Sequence, residues 1–291
     1  MTVKRTVLLA CLVLLAPSYL HAVTVRETRA LRLSQGVSET LSLRATDRIS
    51  GSTGEARVTA KAAGMDIQVQ LDDMKPATLF GGDYNTYILW AISPEGAMQN
   101  LGEFILEGDR SRLHASTDLH TFGIVVTAEP HYVVTLPSAF VVFEITPDRP
   151  VATIRYPVFE GLYNFERSRL SNVKEAKGRV LTEVKQAFTA FQLAQRAGAE
   201  ELAGRELMEA ERSLDQIAAL LHAGITRNEI AALARETVRL AVAAQRLAQD
   251  RAFSALESKG KAREEETAWA EPPVPIRSST RMRLAVLDRR W

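Results

Sequence analysis

Ser171 and Lys174 stand three residues apart, the S-x-x-K spacing in which a lysine can take up a serine's proton and ready it for acyl transfer. That chemistry also needs S-D-N and K-T-G elements, which the sequence lacks, so the pair reads better as the solvated face of a helix. His114, His120 and His131 could meet at a metal, but no H-x-H or i, i+4 pair and no cysteine accompanies them. His222 precedes an expected helix end, where a positive charge is welcome in any case. Asp72, Asp73, Asp83 and Glu95 fall in expected loops and match no calcium-loop spacing. Trp90, Phe104 and Phe122 could stack on a sugar, yet a sheet core claims them first. The sequence therefore nominates no catalytic residue, no cofactor-binding residue and no metal ligand. It predicts a protein that is not an enzyme and carries no cofactor.

What must position these side chains divides into two parts. From 23 to 146 the pattern is that of strands. Residues 57–61 and 65–71 alternate apolar with polar around Gly64 and predict a hairpin. Residues 86–92, TYILWAI, form a continuous apolar run, the mark of a strand buried on both faces. Weak alternation over 23–48 and further strands at 101–106, 121–128 and 140–145 complete the set. The fold predicted is α+β in two segregated parts, with an Ig-like antiparallel β-sandwich first. Pro147, Pro150 and Pro157 mark a linker over 147–158, because proline pushes the residue before it out of the helical region.

Residues 159–259 contain no proline and are rich in alanine and leucine, which predicts an antiparallel helical hairpin or three-helix bundle. The first helix is expected over 159–197, with Leu170, Val173, Val180, Val184, Ala187, Phe191 and Ala194 on one buried stripe and Gly198 as its stop. A second is expected over 200–222, ending at Gly224. The third opens on a capping box, Thr226 with Glu229, and a hydrophobic staple, Ile225 with Ile230, and is expected to stop near Ser258, ahead of Gly260. Its rows Leu233, Leu240, Leu247 and Ala234, Ala241, Ala248, Ala255 make an apolar face that a neighbouring helix can approach closely.

Tyr87-Ile88-Leu89-Trp90, Gly102-Glu103-Phe104 and Val126-Thr127-Ala128-Glu129-Pro130, with Pro137-Ser138 after them, resemble the YxLW, Gxf and VTxEP strands of the extracytoplasmic domain of anti-sigma-K factors over residues 83–143. The resemblance implies a sandwich with Tyr87 and Trp90 in its core. It departs from the family where His131-Tyr132-Val133 replaces a glycine pair, and where no sigma-binding region or later membrane helix is found. Residues 185–261, with Leu202, Leu207, Ala210, Leu214 and the alanine rows, are similar to an alanine-rich helical domain of unknown function from bacterial envelope lipoproteins. That likeness implies an envelope setting and no catalytic residues.

Composition supports an ordinary globular chain, 46% hydrophobic and 24% charged over 291 residues. Lys4 and Arg5, the apolar run 7–16, Pro17 and a small exit residue at Ala22 predict a secretory signal peptide over 1–22. An apolar run of about ten residues is far short of the ~20 that span a bilayer. The single cysteine, Cys11, lies in that run; Leu8-Leu9-Ala10 resembles a lipoprotein box, but the continuing apolar stretch favours simple cleavage. The 36 basic and 35 acidic residues nearly balance, which speaks against nucleic acid as a partner. The tail 260–291 is charged, contains prolines and ends basic, with a weak contact to an anionic surface as its one suggested role.

Together these features predict an exported, periplasmic or envelope-associated, non-catalytic interaction or structural module. Its expected partner is another envelope protein or a second copy engaged through the helices, with no integral membrane span after signal removal. The alternative is a ligand-binding sensor domain, and a hydrolase comes after that.

Overall fold

The computed structural model describes residues 23–170, 173 and 181–270. The predicted signal peptide, Ser171, Lys174, Val180 and the end of the tail lie outside them.

Ten antiparallel strands form one sheet: β1 (Val23–Arg32), β2 (Ser38–Ala45), β3 (Thr53–Lys61), β4 (Gly64–Asp72), β5 (Thr86–Ile92), β6 (Met98–Phe104), β7 (Ser111–Thr117), β8 (Thr121–Glu129), β9 (Val141–Thr146) and β10 (Ala152–Phe159). The pairing runs β10-β1-β8-β9-β2-β3-β4-β7, with β5 bonded to β8 and β6 to β5. Since β6 also lies beside β7, where a side chain at Gly102 would touch Leu113 at 3.3 Å, the sheet curls almost into a barrel. An Ig-like sandwich of two separately paired sheets was expected; one continuous, nearly barrel-like sheet is found.

The hairpin predicted around Gly64 is β3–β4, in register from Thr53↔Asp72 to Lys61↔Gly64. β5 is buried at every residue because it serves two cores. Tyr87, Leu89 and Ala91 face the barrel interior with Phe122, Ile124 and Val126, whereas Ile88, Trp90 and Ile92 join Ala30, Ile154, Tyr156 and Val158 on the other side. That second core exists because the β1–β10 ribbon lies over β5 and β8. The ribbon passes so close that a Cβ on Gly123 would meet Thr28 Cγ2 at 2.5 Å, which is why glycine stands there.

The expected linker over 147–158 is a correction: from Ala152 it is strand β10, paired along its length with β1 from Val23↔Phe159 to Ala30↔Ala152. Pro157 is tolerated because β10 is an edge strand. The helix expected from 159 is a second correction. Residues 161–170 form an irregular strap across one end of the barrel, and Leu170 and Val173 pack on the barrel core rather than on a helical stripe.

Helices follow as α1 (Thr182–Arg196), the single turn α2 (Ala199–Leu202), α3 (Gly204–Ala223) and α4 (Arg227–Ala270). Gly198 and Gly224 are left-handed, with φ of 80° and 69°, and stop α1 and α3 as predicted. At the start of α4 the expected pair meets side chain to side chain, the Thr226 hydroxyl donating to the Glu229 carboxylate at 2.9 Å, while the Thr226 carbonyl accepts the first helical bond from Ile230. The single helix expected over 200–222 is broken at Ala203, where φ is −147°.

α3 and α4 run antiparallel, joined by a buried Ser213–Thr237 hydroxyl pair at 2.6 Å, and α1 lies along α4. The alanine row Ala234, Ala241 and Ala248 is fully buried, while Leu233, Leu240 and Leu247 flank it half-buried. α4 does not stop near Ser258 but continues to Ala270, through Gly260 and the first part of the expected disordered tail. Arg251 ties it to the bundle by donating to the Leu202 carbonyl. Every side chain from Phe253 to Arg263 is exposed, Phe253 at 63% and Leu256 at 67%. No helix among the described residues is long and apolar enough to cross a membrane.

Candidate functional site

The densest convergence of polar groups lies where the start of β5, the end of β8, the strap and α1 meet. At the centre is Glu129, the last residue of β8 and wholly buried. One carboxyl oxygen, Oε1, accepts from the Ser138 N–H at 2.7 Å and from the Thr127 hydroxyl at 2.5 Å. Thr127 in turn accepts from the Trp90 indole N–H at 2.8 Å, so a chain of donors runs from the second core to the acid. The other oxygen, Oε2, is buried without a hydrogen-bond partner. Burial without a counter-charge pushes the carboxyl up to about 8, although the bonds from Ser138 and Thr127 oppose the shift.

Around Glu129 stand Tyr84, Tyr163, Asp83 and Arg196. Burial raises the Tyr84 hydroxyl first, and the nearby Glu129 adds to it. The Tyr163 hydroxyl rises well above the ordinary range for the same two causes, with Arg196 opposing. Tyr163 as a residue is half-buried, so it is the hydroxyl end that reaches into the cluster. Asp83 accepts from Arg196 at 2.7 Å and from the Asn164 N–H at 3.0 Å, tying α1 and the strap to the same carboxylate. Asn85, buried beside it, donates to Thr189 of α1 at 2.9 Å and to the Pro130 carbonyl at 3.0 Å.

Aromatic rings wall this end of the barrel. Phe80, Tyr84 and Phe140 pack on one another, Phe80 edge-on to Phe140 and Tyr84 tilted against it, with centroids 4.4 Å apart in both pairs. The strap adds Tyr163 and Phe165, at 6.1 Å from Tyr84 and 5.5 Å from Phe140. The Arg48 guanidinium lies over the Phe140 ring at 3.9 Å. Gly81 and Gly82 let the strap pass, because a side chain on either would collide with Glu166 or with the Asn164 carbonyl.

A second polar junction fastens the helices to β6. Glu103, 8% exposed at its side chain, accepts from Thr86 at 2.7 Å, Gln186 at 2.6 Å and Arg235 at 2.6 Å. Tyr132 completes it. Its N–H donates to Gln186 at 3.0 Å, its hydroxyl donates to the Arg235 carbonyl at 3.1 Å, and the Arg235 guanidinium lies 4.7 Å from its ring centre.

The residues singled out in the sequence are dispersed. His114 sits on the outer face of β7 and bonds Asp66 at 2.9 Å, beside an open groove of about 660 Å³ that also involves Lys61. Hydrogen bonds from Lys61 and His114 hold the Asp66 carboxyl below its ordinary range, so these groups satisfy one another. His120 is exposed, whereas His131 is buried with Nδ1 unpartnered and, by burial and the nearby Arg246, is pushed down to about 3. Asp72 pairs with Arg110 at 3.1 Å, Glu95 is exposed in a turn, and no group of three metal-ligating side chains occurs among the described residues. Tyr84, Tyr163 and Arg196 carried no motif, and Glu129 stood only as the acid of the VTxEP resemblance, with no role assigned to it. The available signal was an acid closing the apolar run GIVVTAE, with a glycine pair just ahead of Asp83.

Comparison with protein-family models, with curated proteins and with solved structures finds no match.

Proposed function

We propose that this chain is an exported, non-catalytic interaction module of the bacterial cell envelope, a barrel that holds out a helical arm for another protein. One observation carries the reading. α4 runs 44 residues, and over the roughly 15 Å from Phe253 to Arg263 its side chains are exposed, Phe253 and Leu256 among them. Bare apolar side chains on a rigid, projecting helix are costly to keep unless a partner covers them. The envelope setting rests on the signal pattern of Lys4, Arg5, the apolar run and Ala22.

The test is a photo-crosslinking residue at position 253 in the protein expressed in its envelope. An adduct that disappears when Leu256→Glu is added supports the reading, and its mass separates a second copy from a different protein. A well-folded protein that gives no adduct overturns it.

A second reading, a ligand sensor, is favoured by a separate observation. The strap and α1 share the buried Asp83 and lie against an acid with a free oxygen, so an event at the barrel end reaches the helices through two hydrogen bonds.

A further inference from the structure

We propose that the barrel end beneath the strap is a binding site for an organic ammonium group, and that the strap is its built-in occupant. The proposal deepens the sensor reading and does not depend on the projecting end of α4.

The slot is fixed from several directions without the strap. Ser138 and Thr127 hold Glu129, Arg196 holds Asp83, and Thr189 holds Asn85. Phe80, Tyr84 and Phe140 are packed on one another in the barrel core. The strap lies outermost. Its main-chain bonds go to Phe80, from Glu166 and Arg167, to Asp83, at Asn164, and to Arg48, from Leu170, yet most of its residues are exposed, Phe165 at 51%. What it inserts is the neutral phenol of Tyr163.

The chemistry left unsatisfied there is anionic. Asp83 is matched by Arg196, but Glu129 Oε2 has nothing, and a buried carboxyl with an orphan oxygen calls for a cation or a proton. The rings supply the second half of an ammonium site, since the face of an aromatic ring attracts cations and Phe140 already carries Arg48. A ring-bearing amine replaces Tyr163 ring for ring and brings the charge that the phenol lacks.

Benzylammonium is the probe and benzyl alcohol its neutral counterpart, titrated into the full protein while the Trp90 indole N–H resonance is followed through its link to Thr127 and Glu129. Benzylammonium is expected to bind at least tenfold more tightly than benzyl alcohol. Phe165→Ser, at a half-exposed position, raises the fraction of molecules with the strap displaced and tightens binding by the same factor. Glu129→Gln keeps an acceptor for Ser138 and Thr127 but removes the anion, and is expected to abolish the preference for the charged probe with a melting temperature at neutral pH no lower than that of the wild type.

Binding must first strip the proton from Glu129, so affinity climbs about tenfold per pH unit and levels near pH 8. The other titratable or charged groups around the acid are Tyr84, Tyr163, Asp83, Arg48 and Arg196, and burial moves the two tyrosine hydroxyls further above that range. Equal binding of the two probes, an unchanged preference in Glu129→Gln, or a Phe165→Ser protein that binds neither probe would each overturn the proposal.

Discussion

The barrel and the helices are built from opposite materials. The sheet cores bury Trp90, Tyr87, Tyr156, Phe80, Phe122, Phe140 and Phe143, large rings that fill wide spaces between strands. The helical core is mostly alanine, with Ala187, Ala190, Ala210, Ala234, Ala241, Ala244 and Ala248 all inaccessible. Each alanine contributes little apolar area, so the helices gain their stability from close backbone approach and from the polar clamps to the barrel at Glu103 and Asp83. A core of large side chains tolerates some slack; a core of small ones tolerates none.

The largest effect is expected from Ala241→Glu. A carboxylate in a seam with no room and no partner should cost on the order of 5 kcal/mol and melt the helices. Far-UV circular dichroism should lose helical signal while Trp90 emission stays that of a buried indole. Joint loss of both signals would show that the barrel depends on its helices.

The pH profile of stability comes next and contrasts two buried groups. Glu129 carries its proton up to about 8 when folded but only to its ordinary 4.5 when unfolded, so stability falls with rising pH between those values, by about 1.4 kcal/mol per unit. His131 stays neutral down to about 3 when folded but protonates at 6.5 when unfolded, so its contribution grows with rising pH across that range. The two slopes oppose each other between 4.5 and 6.5, which predicts a plateau there with a decline on either side. Denaturant titrations at several pH values should show it, and Glu129→Gln should remove the alkaline decline and turn the plateau into a rise up to pH 6.5.

Arg235→Ala should cost about 2–4 kcal/mol, because Glu103 would remain buried without its cation. Limited proteolysis should then release the helices from the barrel, which the intact protein resists. The smallest effect is expected at the α4 cap, where Thr226→Ala should cost about 1 kcal/mol or less in a region of exposed side chains. A larger loss there would mean that the α3–α4 turn does more than end a helix.

How much of this could be read in the sequence depends on whether the information was local. The hairpin at Gly64, the double-faced strand at Trp90, the glycine stops at 198 and 224 and the cap at Thr226 all follow from residues within a few positions of one another. β10 was missed because its signal is its partner, β1, far away in sequence, while Pro147, Pro150 and Pro157 pointed locally to a linker. The stripe through Leu170 and Val184 continued across the strap by coincidence of spacing, and Leu170 in fact lies against the barrel. Gly260 was read as a stop, yet α4 runs through it to Ala270. The cluster at Glu129 is wholly non-local, since strand end, strap and helix bring its members together.

The β1–β10 ribbon also sets a timetable. A chain made or exported from its N-terminus presents β1 first, but β1 bonds only to β8, the eighth strand, and β10, the last. Until Ala152–Phe159 has emerged, Val23–Ala30 is an unpaired edge and Trp90 and Ile88 lack the cover of Ile154, Tyr156 and Val158. Pairings this distant close large loops and are slow to form, so the nascent barrel passes through a vulnerable interval that a chaperone must guard or a protease can exploit.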